Sequence, residues 1–177
     1  MKRILGFAGS NSSKSINSQL VRNILDRFST DFETTQIDIR DFELPFYGED
    51  LEKKQGIPQR AKDFANEIEK RDALIIAINE HNGSLSAVFK NLIDWVSRHH
   101  RGFLTGKKII LVAASPGGSG AASAMAYAKT AFGIFGGEVV ATISFPNFYD
   151  NFENGEIINT QLEEEVQSKI NTFAQQI

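Results

Sequence analysis

The sequence contains no cysteine. This absence excludes disulfide bonds, thiolate catalysis and metal sites built on cysteine. Histidine is also scarce, with three residues, so we expect no metal site. Positive charge is not in excess either, because 19 Lys and Arg against 22 Asp and Glu give a net charge of −3 at pH 7. A nucleic-acid-binding domain normally carries a basic patch, and we therefore expect no nucleic acid partner.

Long hydrophobic runs are absent as well. No stretch reaches the ~18 consecutive apolar residues that a membrane-spanning helix needs. The N-terminal stretch MKRILGFAGS becomes polar too early for a secretory signal. We therefore expect no membrane partner and a cytoplasmic location. With 177 residues, 41% of them hydrophobic, the chain is long enough to bury a core, and we expect one domain over residues 1–177.

Predicted strands and helices alternate along the chain. Short apolar or β-branched runs predict five strands, at residues 3–8, 35–39, 73–78, 107–114 and 139–143. Apolar residues at helical spacing follow each strand, in segments that begin near Ile16, Ala61, Leu85, Ala121 and Leu162. Residues 41–58 contain two prolines and two glycines and are predicted to form an irregular loop. This alternation predicts an α/β three-layer sandwich, with a parallel five-stranded sheet between helices on both faces.

Three of the predicted strands end in unusual loops. They are GSNSSKSIN at residues 9–17, NEHNGS at residues 79–84 and SPGGSG at residues 115–120. In an open parallel sheet, ligands bind outside the carboxyl ends of the strands. With the flavodoxin-like strand order 2-1-3-4-5, the three strands concerned are neighbours. The loops are therefore predicted to meet at one edge of the sheet and form a binding site.

The first loop predicts a phosphate site. It ends at a helix N-terminus, where free backbone N–H groups and the helix dipole favour an anion. The hydroxyls of Ser10, Ser12 and Ser15 and the amide of Asn17 add donors. The loop matches neither the G-x-x-x-x-G-K-[ST] nor the G-x-G-x-x-G pattern. A simple helix cap at Ser15 is the alternative, but it explains only one of these serines.

The other two loops leave more than one interpretation open. NEHNGS fits a loop that presents backbone amides to a planar ligand. It also fits a capped turn with Ser84 as the N-cap and Gly83 at positive φ. SPGGSG is less specific still, because glycine-rich turns are frequent.

Taken together, the loops resemble the motifs of the NADPH-dependent FMN reductase family. That family shows G-S-x-R-x-x-S-x-N after its first strand, here Gly9, Ser10, Ser12, Ser15 and Asn17. It shows P-E-Y-N-G-S and then L-K-N-x-L-D-W after its third strand, here residues 79–84 and 89–95. A Ser/Gly-rich turn follows its fourth strand, here Ser115, Gly117 and Gly118. The resemblance covers about residues 1–145.

The resemblance implies a flavodoxin-like fold and an FMN-dependent oxidoreductase. Such an enzyme takes hydride from NAD(P)H as co-substrate and passes electrons to a small-molecule acceptor: a quinone, an azo compound, a metal oxyanion or free flavin. The implied cofactor-binding residues are Ser10, Asn11, Ser12, Ser15 and Asn17 at the phosphate, Glu80, His81, Asn82, Gly83 and Ser84 along the ring, and Ser115, Gly117 and Gly118 on its other side. The flavin carries the chemistry, so no side chain is expected to be indispensable for catalysis, and His81 is expected to modulate the rate. A homodimer or homotetramer is also implied.

This sequence departs from the family pattern at three positions. Ser12 stands in the place of an arginine, which removes a bidentate contact to the phosphate and is expected to weaken FMN binding. Lys14 offers a substitute charge, but only as a point charge. His81 replaces a tyrosine, and Asn79 replaces a proline.

Two other classes of function stay open from the sequence. One is a non-enzymatic, flavodoxin-like electron carrier or small-ligand binding module. The other is a serine hydrolase, which is disfavoured because the chain has no G-x-S-x-G motif and Ser10 has no evident histidine partner. Asp94 and Trp95, in the helix after the second motif, are predicted to serve packing or subunit contacts.

Overall fold

The computed structural model describes residues 1–28 and 30–177. Its main sheet has five parallel strands in the order β2-β1-β3-β6-β7. The strands are β1 (Arg3–Ala8), β2 (Glu33–Gln36), β3 (Ala73–Ala77), β6 (Lys108–Ala114) and β7 (Glu138–Phe145). Numbered among themselves along the chain, these strands have the order 2-1-3-4-5, and the predicted flavodoxin-like topology is confirmed.

Helices cover both faces of this sheet. On one face lie α1 (Ile16–Asp26) and α7 (Thr160–Ala174), and on the other lie α3 (Gln59–Glu69), α4 (Ala87–His99) and α5 (Ala122–Ile134). Strand side chains alternate between the two cores: Leu5 and Phe7 pack under α3 and α4, whereas Ile4 and Ala8 pack under α1. Because both faces are covered, the strands read as continuous apolar runs. The predicted three-layer sandwich is confirmed.

The prediction for residues 41–58 was partly wrong. A 3₁₀ helix, Ile39–Phe42, and a short helix, α2 (Glu49–Gln55), interrupt the expected loop. Helix α2 buries no residue, so it shows no apolar periodicity from which it could be predicted. Its charges explain it instead, because acidic residues occupy its first turn and Lys53 and Lys54 its last, as the helix dipole favours.

Small elements at the carboxyl edge of the sheet were also missed. Strands β4 (Glu80–His81) and β5 (Ser84–Leu85) form an antiparallel hairpin. A short helix, α6 (Phe148–Asn151), precedes a second hairpin of β8 (Phe152–Glu153) and β9 (Glu156–Ile157). Two-residue strands are too short to show alternation. Strand β2 begins two residues and ends three residues earlier than the predicted strand at 35–39.

None of the helices in the described part of the chain has both the length and the apolar character needed to cross a membrane.

The close approach of β1 to α4 requires a glycine at position 9. A Cβ added to Gly9 would lie 2.4 Å from Cδ1 of Phe89, a ring that is 1% exposed. Phe89 is itself fixed by edge contacts to Phe7 and Phe132. The end of β1 therefore reaches the first loop directly over a rigid aromatic ring.

We expect Gly9→Ala to lower the free energy of unfolding by about 1–3 kcal/mol, because the crowded core has to shift to admit the methyl group. Chemical denaturation would measure this. Gly133→Ala is the matched control, since its Cβ meets no atom within 4 Å in the exposed part of α5. That variant is expected to gain about 0.5–1 kcal/mol from helix propensity. Equal stability of the two variants would contradict the close approach.

Candidate functional site: three loops at the carboxyl edge

The first loop folds around its own hydroxyls. The Ser10 Oγ accepts a hydrogen bond from the Ser12 N–H (3.2 Å), and the Ser12 Oγ accepts one from the Lys14 N–H (3.2 Å). Ser15 is the N-cap of α1, and its Oγ accepts from the Ser18 N–H at 3.1 Å. In each case the hydroxyl oxygen is the acceptor, so its proton stays available to an anion. The first turn of α1 adds backbone N–H groups for which the helix has no acceptor.

A polar cleft of about 620 Å³ lies beside this loop. Its lining includes four residues of the loop, Ser10, Ser12, Ser13 and Lys14. Most of the other lining residues belong to α1, to the segment at the end of β2 and to the β8–β9 hairpin. Nothing in the described part of the chain forms an ion pair with Lys14, so its charge is not neutralised there by another side chain.

Arg40 and Asp38, farther along the cleft, neutralise each other instead. The Arg40 Nε lies 2.9 Å from the Asp38 Oδ2, and this hydrogen bond lowers the pKa of the Asp38 carboxyl below its ordinary value. Among the described residues that line the cleft, positive charge without an ion pair is therefore found at Lys14, on the loop itself, and at Arg22 of α1.

Asn17 lies in the first turn of α1, but its side chain faces the sheet. The Asn17 Oδ1 accepts from the Ala114 N–H at 2.8 Å, and its Nδ2 donates to the Ala114 C=O at 3.2 Å. The residue is 3% exposed. The side-chain amide that the family pattern assigns to the phosphate thus fastens α1 to the end of β6, and only the backbone N–H of Asn17 remains at the helix terminus.

The second loop is a hairpin rather than a simple turn. Asn82 (φ 53°) and Gly83 (φ 77°) occupy the two turn positions between β4 and β5, as is typical of an Asn-Gly type I′ turn. The positive φ expected at Gly83 is confirmed. Ser84 belongs to β5, and the N-cap of α4 is Ser86, so the assignment of the cap to Ser84 was wrong.

Two side chains fasten this hairpin to its neighbours. Ser86 is 2% exposed, and its Oγ donates to the Gly9 C=O at 2.6 Å while accepting from the Phe89 N–H at 3.2 Å. The Glu80 Oε2 accepts from the Ala124 N–H at 2.9 Å, in the first turn of α5. The carboxylate of Glu80 is therefore used as a cap for α5, which has no cap from its own N-cap residue.

The third loop is held by Ser115. The Ser115 Oγ donates to the Gly117 C=O at 2.6 Å and accepts from the Gly120 N–H at 3.1 Å, so the single proton of this hydroxyl is used within the loop. The loop is also tied to the start of α6, because the Phe148 N–H donates to the Ser115 C=O at 3.0 Å. A Cβ at Gly117 or Gly118 would meet no atom within 4 Å. The loop therefore presents open backbone at these two glycines.

Sequence reasoning missed Ser86 and Asn91 as residues that shape the site. Asn91 accepts the Tyr47 N–H (2.8 Å) and donates to the Pro45 C=O (3.0 Å), and Trp95 Nε1 donates to the same carbonyl (2.8 Å). Trp95 is fully buried, which confirms its predicted packing role. The position of Ser86, directly before an apolar helical pattern, was a usable cap signal. Tyr47 and Pro45, in contrast, lie 44 and 46 residues from Asn91 in sequence, and no local pattern extends that far.

The segment held by Asn91 borders an apolar groove. This groove, about 300 Å³, runs from Asn11 along the start of α4 and is lined by Phe42, Leu44 and Phe46. Phe46 is 80% exposed, which is more than any other aromatic side chain in the described part of the protein.

The arrangement of loops agrees with the comparison to known families. The family model described as NADPH-dependent FMN reductase matches residues 2–150. The chain belongs to this family. An NAD(P)H-dependent FMN reductase of Pseudomonas aeruginosa is 34% identical over 69% of this chain, but the match spans only 64% of that relative's length.

Two further proteins match over nearly their whole length. A 2-hydroxy-1,4-benzoquinone reductase of a Burkholderia species is 26% identical over 97% of this chain and 94% of its own. The solved structure of FerB, a flavoenzyme NAD(P)H:(acceptor) oxidoreductase of Paracoccus denitrificans, superposes with a TM-score of 0.78 at 26% identity. It covers 99% of this chain and 96% of that one.

We expect Asn17→Ala to destabilise the fold by more than about 2 kcal/mol, because each buried backbone group left without a partner costs about 1–3 kcal/mol. Both the N–H and the C=O of Ala114 lose their partner in this variant. Urea denaturation would measure the loss, with the exposed Asn11→Ala as control. A loss no greater than that of the control would mean that the amide of Asn17 is free to bind a ligand.

Proposed function

We propose that the protein is an NAD(P)H-dependent FMN reductase, which takes hydride from NAD(P)H and passes electrons to a small-molecule acceptor. The observation that carries this proposal is the junction of three loops at one sheet edge. A serine-rich phosphate loop, an Asn-Gly hairpin and a loop with open glycines are joined there through Ser86 and Asn17. Family membership supports the same activity.

The residues of the junction fit FMN. Hydroxyls of Ser10, Ser12 and Ser15, with Lys14 and the first-turn N–H groups of α1, form a suitable set of donors for its phosphate. The turn residues Asn82 and Gly83 lie outside the β4–β5 ladder, so their N–H groups are free of it and suit the polar edge of a planar ring.

The third loop would border the other side of the flavin ring. Gly117 and Gly118 leave space for close approach to their backbone. When bound, FMN supplies the ability to accept and donate hydride, and the protein positions it and excludes water.

In this proposal the roles within the predicted site are unequal. Ser10, Ser12 and Ser15 contact the phosphate end, whereas Asn11 lines the groove along α4 and not the polar cleft. His81, Asn82, Gly83 and Ser84 border the ring, with Gly117 and Gly118 across from them. Asn17, Glu80 and Ser115 act through the loops that they hold, since their side chains are already bonded within the protein.

The names of the relatives support quinones as the acceptor class. One full-length match is named a 2-hydroxy-1,4-benzoquinone reductase, and FerB is described as an NAD(P)H:(acceptor) oxidoreductase. We propose further that residues 1–177 act as one flavodoxin-like domain in the cytoplasm and that the protein assembles as a homodimer or homotetramer. The exposed Phe46 beside the groove on α4 favours such an assembly, because a second subunit would cover it.

We expect the purified apo-protein to bind FMN saturably, with micromolar affinity or tighter, and NAD(P)H then to bleach the bound flavin. A titration followed by flavin fluorescence, with NAD(P)H added at the end, measures both. Binding without bleaching by NAD(P)H would favour the electron carrier over the reductase. Failure to bind would favour a binding module for another ligand.

We expect Ser12→Arg to tighten FMN binding by about tenfold or more, because an arginine there would form charge-assisted hydrogen bonds to the phosphate. Ser13→Arg is the matched control, since Ser13 lines the same cleft and the substitution adds the same charge. The gain at position 12 is expected to exceed that at position 13. Equal gains would show that the loop responds only to net charge and that Ser12 does not face the phosphate.

A further inference from the structure

Asn79, which directly precedes β4, and His81, the last residue of β4, form a pair of side chains. They lie on either side of Glu80, whose carboxylate turns to α5. The Asn79 Nδ2 and the His81 Nε2 are 3.2 Å apart, within hydrogen-bond distance. His81 itself is exposed to solvent. The pair therefore presents the His81 imidazole at the edge of the proposed ring site, while its Nε2 contacts the Asn79 amide.

The contact with Asn79 links the orientation of its amide to the nitrogen of His81 that carries the proton. An amide NH₂ group is only a donor, so in this arrangement the Nε2 accepts and the proton of the neutral ring lies on Nδ1. Nδ1 is the nitrogen that Asn79 does not contact. The polar N–H of the ring is therefore left free to meet a ligand.

Asn79 is also able to hold the protonated ring. Its Oδ1 is buried and has no hydrogen-bond partner among the described residues. Rotation of the amide by half a turn exchanges the oxygen and the nitrogen, and the Oδ1 then accepts from the Nε2–H of an imidazolium. A charge-assisted bond of this kind is stronger than the neutral one. One asparagine thus fixes the ring in both of its protonation states.

The three loops hold few other groups able to exchange a proton. Residues 9–17, 79–84 and 115–120 contain only Lys14, Glu80 and His81 as titratable side chains. Glu80 is bonded to the Ala124 N–H, and Lys14 lies at the phosphate end of the site. Imidazole is the side chain best suited to give and regain a proton near neutral pH.

We propose that His81 is the proton donor to a quinone acceptor, with Asn79 as its positioning residue. This inference rests on the proposed function. Conversion of a quinone to a hydroquinone consumes two electrons and two protons. A hydride that originates in NAD(P)H brings both electrons and one proton, and Nδ1–H of the His81 imidazolium brings the other. The ring is then neutral with its remaining proton on Nε2, which the Asn79 Oδ1 accepts, and a proton from solvent restores Nδ1–H. The sum is NAD(P)H, H⁺ and quinone giving NAD(P)⁺ and hydroquinone.

The kinetic test compares an acceptor that needs the proton with one that does not. FMN-loaded protein, reduced beforehand with one equivalent of NADPH, is mixed in a stopped-flow instrument with 1,4-benzoquinone or with ferricyanide. Ferricyanide takes one electron per ion and no proton. We expect His81→Phe to slow reoxidation by benzoquinone about tenfold or more, as removal of a general acid does. Reoxidation by ferricyanide is expected to slow much less than reoxidation by benzoquinone, because general acid catalysis does not apply to it.

Each other outcome has a definite meaning. Unchanged reoxidation by benzoquinone in His81→Phe overturns the inference. Equal slowing with both acceptors also overturns it, because His81 would then act on the cofactor and not on the acceptor. If the unmodified protein transfers electrons to neither acceptor, the proposed function fails and takes this inference with it. His99→Phe, at the end of α4, is the control that leaves both rates unchanged.

The positioning role of Asn79 is tested without FMN. The chain has three histidines, so ¹⁵N imidazole NMR spectra of the apo-protein are simple, and His99 and His100 serve as internal references. We expect the neutral His81 ring to be protonated on Nδ1. Asn79→Ala is expected to release this preference, and Asn79→Asp to shift the proton to Nε2, where the carboxylate accepts it. An unchanged tautomer in both variants overturns the role of Asn79.

Discussion

The site depends on a pair of buried hydrogen bonds between the amide of Asn17 and the backbone of Ala114. Ala114 is the last residue of β6, and β3, its neighbour on that side, ends at Ala77. The Ile78 N–H still donates to the Val112 C=O, but no residue of β3 pairs with Ala114, whose strand partner is Phe145 of β7 on the other side. Asn17 takes that place with a side chain that both donates and accepts. A group buried to this extent must be paired, so the start of α1 is fixed to the end of β6.

Hydrogen bonds from side chains to backbone groups distant in sequence also fix the remaining loops. Ser86 joins the start of α4 to the carbonyl of Gly9, while Glu80 joins the hairpin to α5. Beneath them lies a network of phenylalanine rings in edge contact, which includes Phe7, Phe64 and Phe89. Close-packed aromatic rings have few alternative arrangements, so they form a stiff base. The exposed loops are rich in serine and glycine and contain little regular secondary structure. These hydrogen bonds and the aromatic rings beneath them hold the loops in one arrangement.

Residues of the same motif therefore have different roles, because some side chains form hydrogen bonds that hold the fold and others stay accessible. In the first loop, Ser10, Ser12 and Lys14 remain accessible from the cleft, while Asn17 is used by the fold. In the second loop, Glu80 is used by the fold, while Asn79 and His81 meet each other. The side chains that depart from the family pattern do not join one loop to another: the Ser12 Oγ bonds within its own loop, and Asn79 and His81 bond to each other. The scaffold can therefore stay constant while the chemistry offered to the cofactor and acceptor changes.

The sequence by itself determined the architecture and predicted the region of the candidate site. Apolar runs such as residues 73–78 and the helical spacing of Phe89, Leu92 and Val96 follow directly from burial, because each position reports locally whether it faces a core. Strand order and the three unusual loops then located the site at one edge of the sheet. The short helix Glu49–Gln55 and the two-residue strands left no such pattern, since they bury little or are too short to alternate.

Only the tertiary structure decided what each polar side chain does. Asn17 bonds to a residue 97 positions away, Glu80 to one 44 away and Ser86 to one 77 away, and no local pattern carries such distances. The local sequence around a serine or asparagine in a loop does not show whether its side chain binds a ligand or completes a strand ladder. Its role is set by the backbone group that the fold brings within hydrogen-bond reach. The chemistry of the loops was therefore readable from the sequence, but the residues left free to perform it were not.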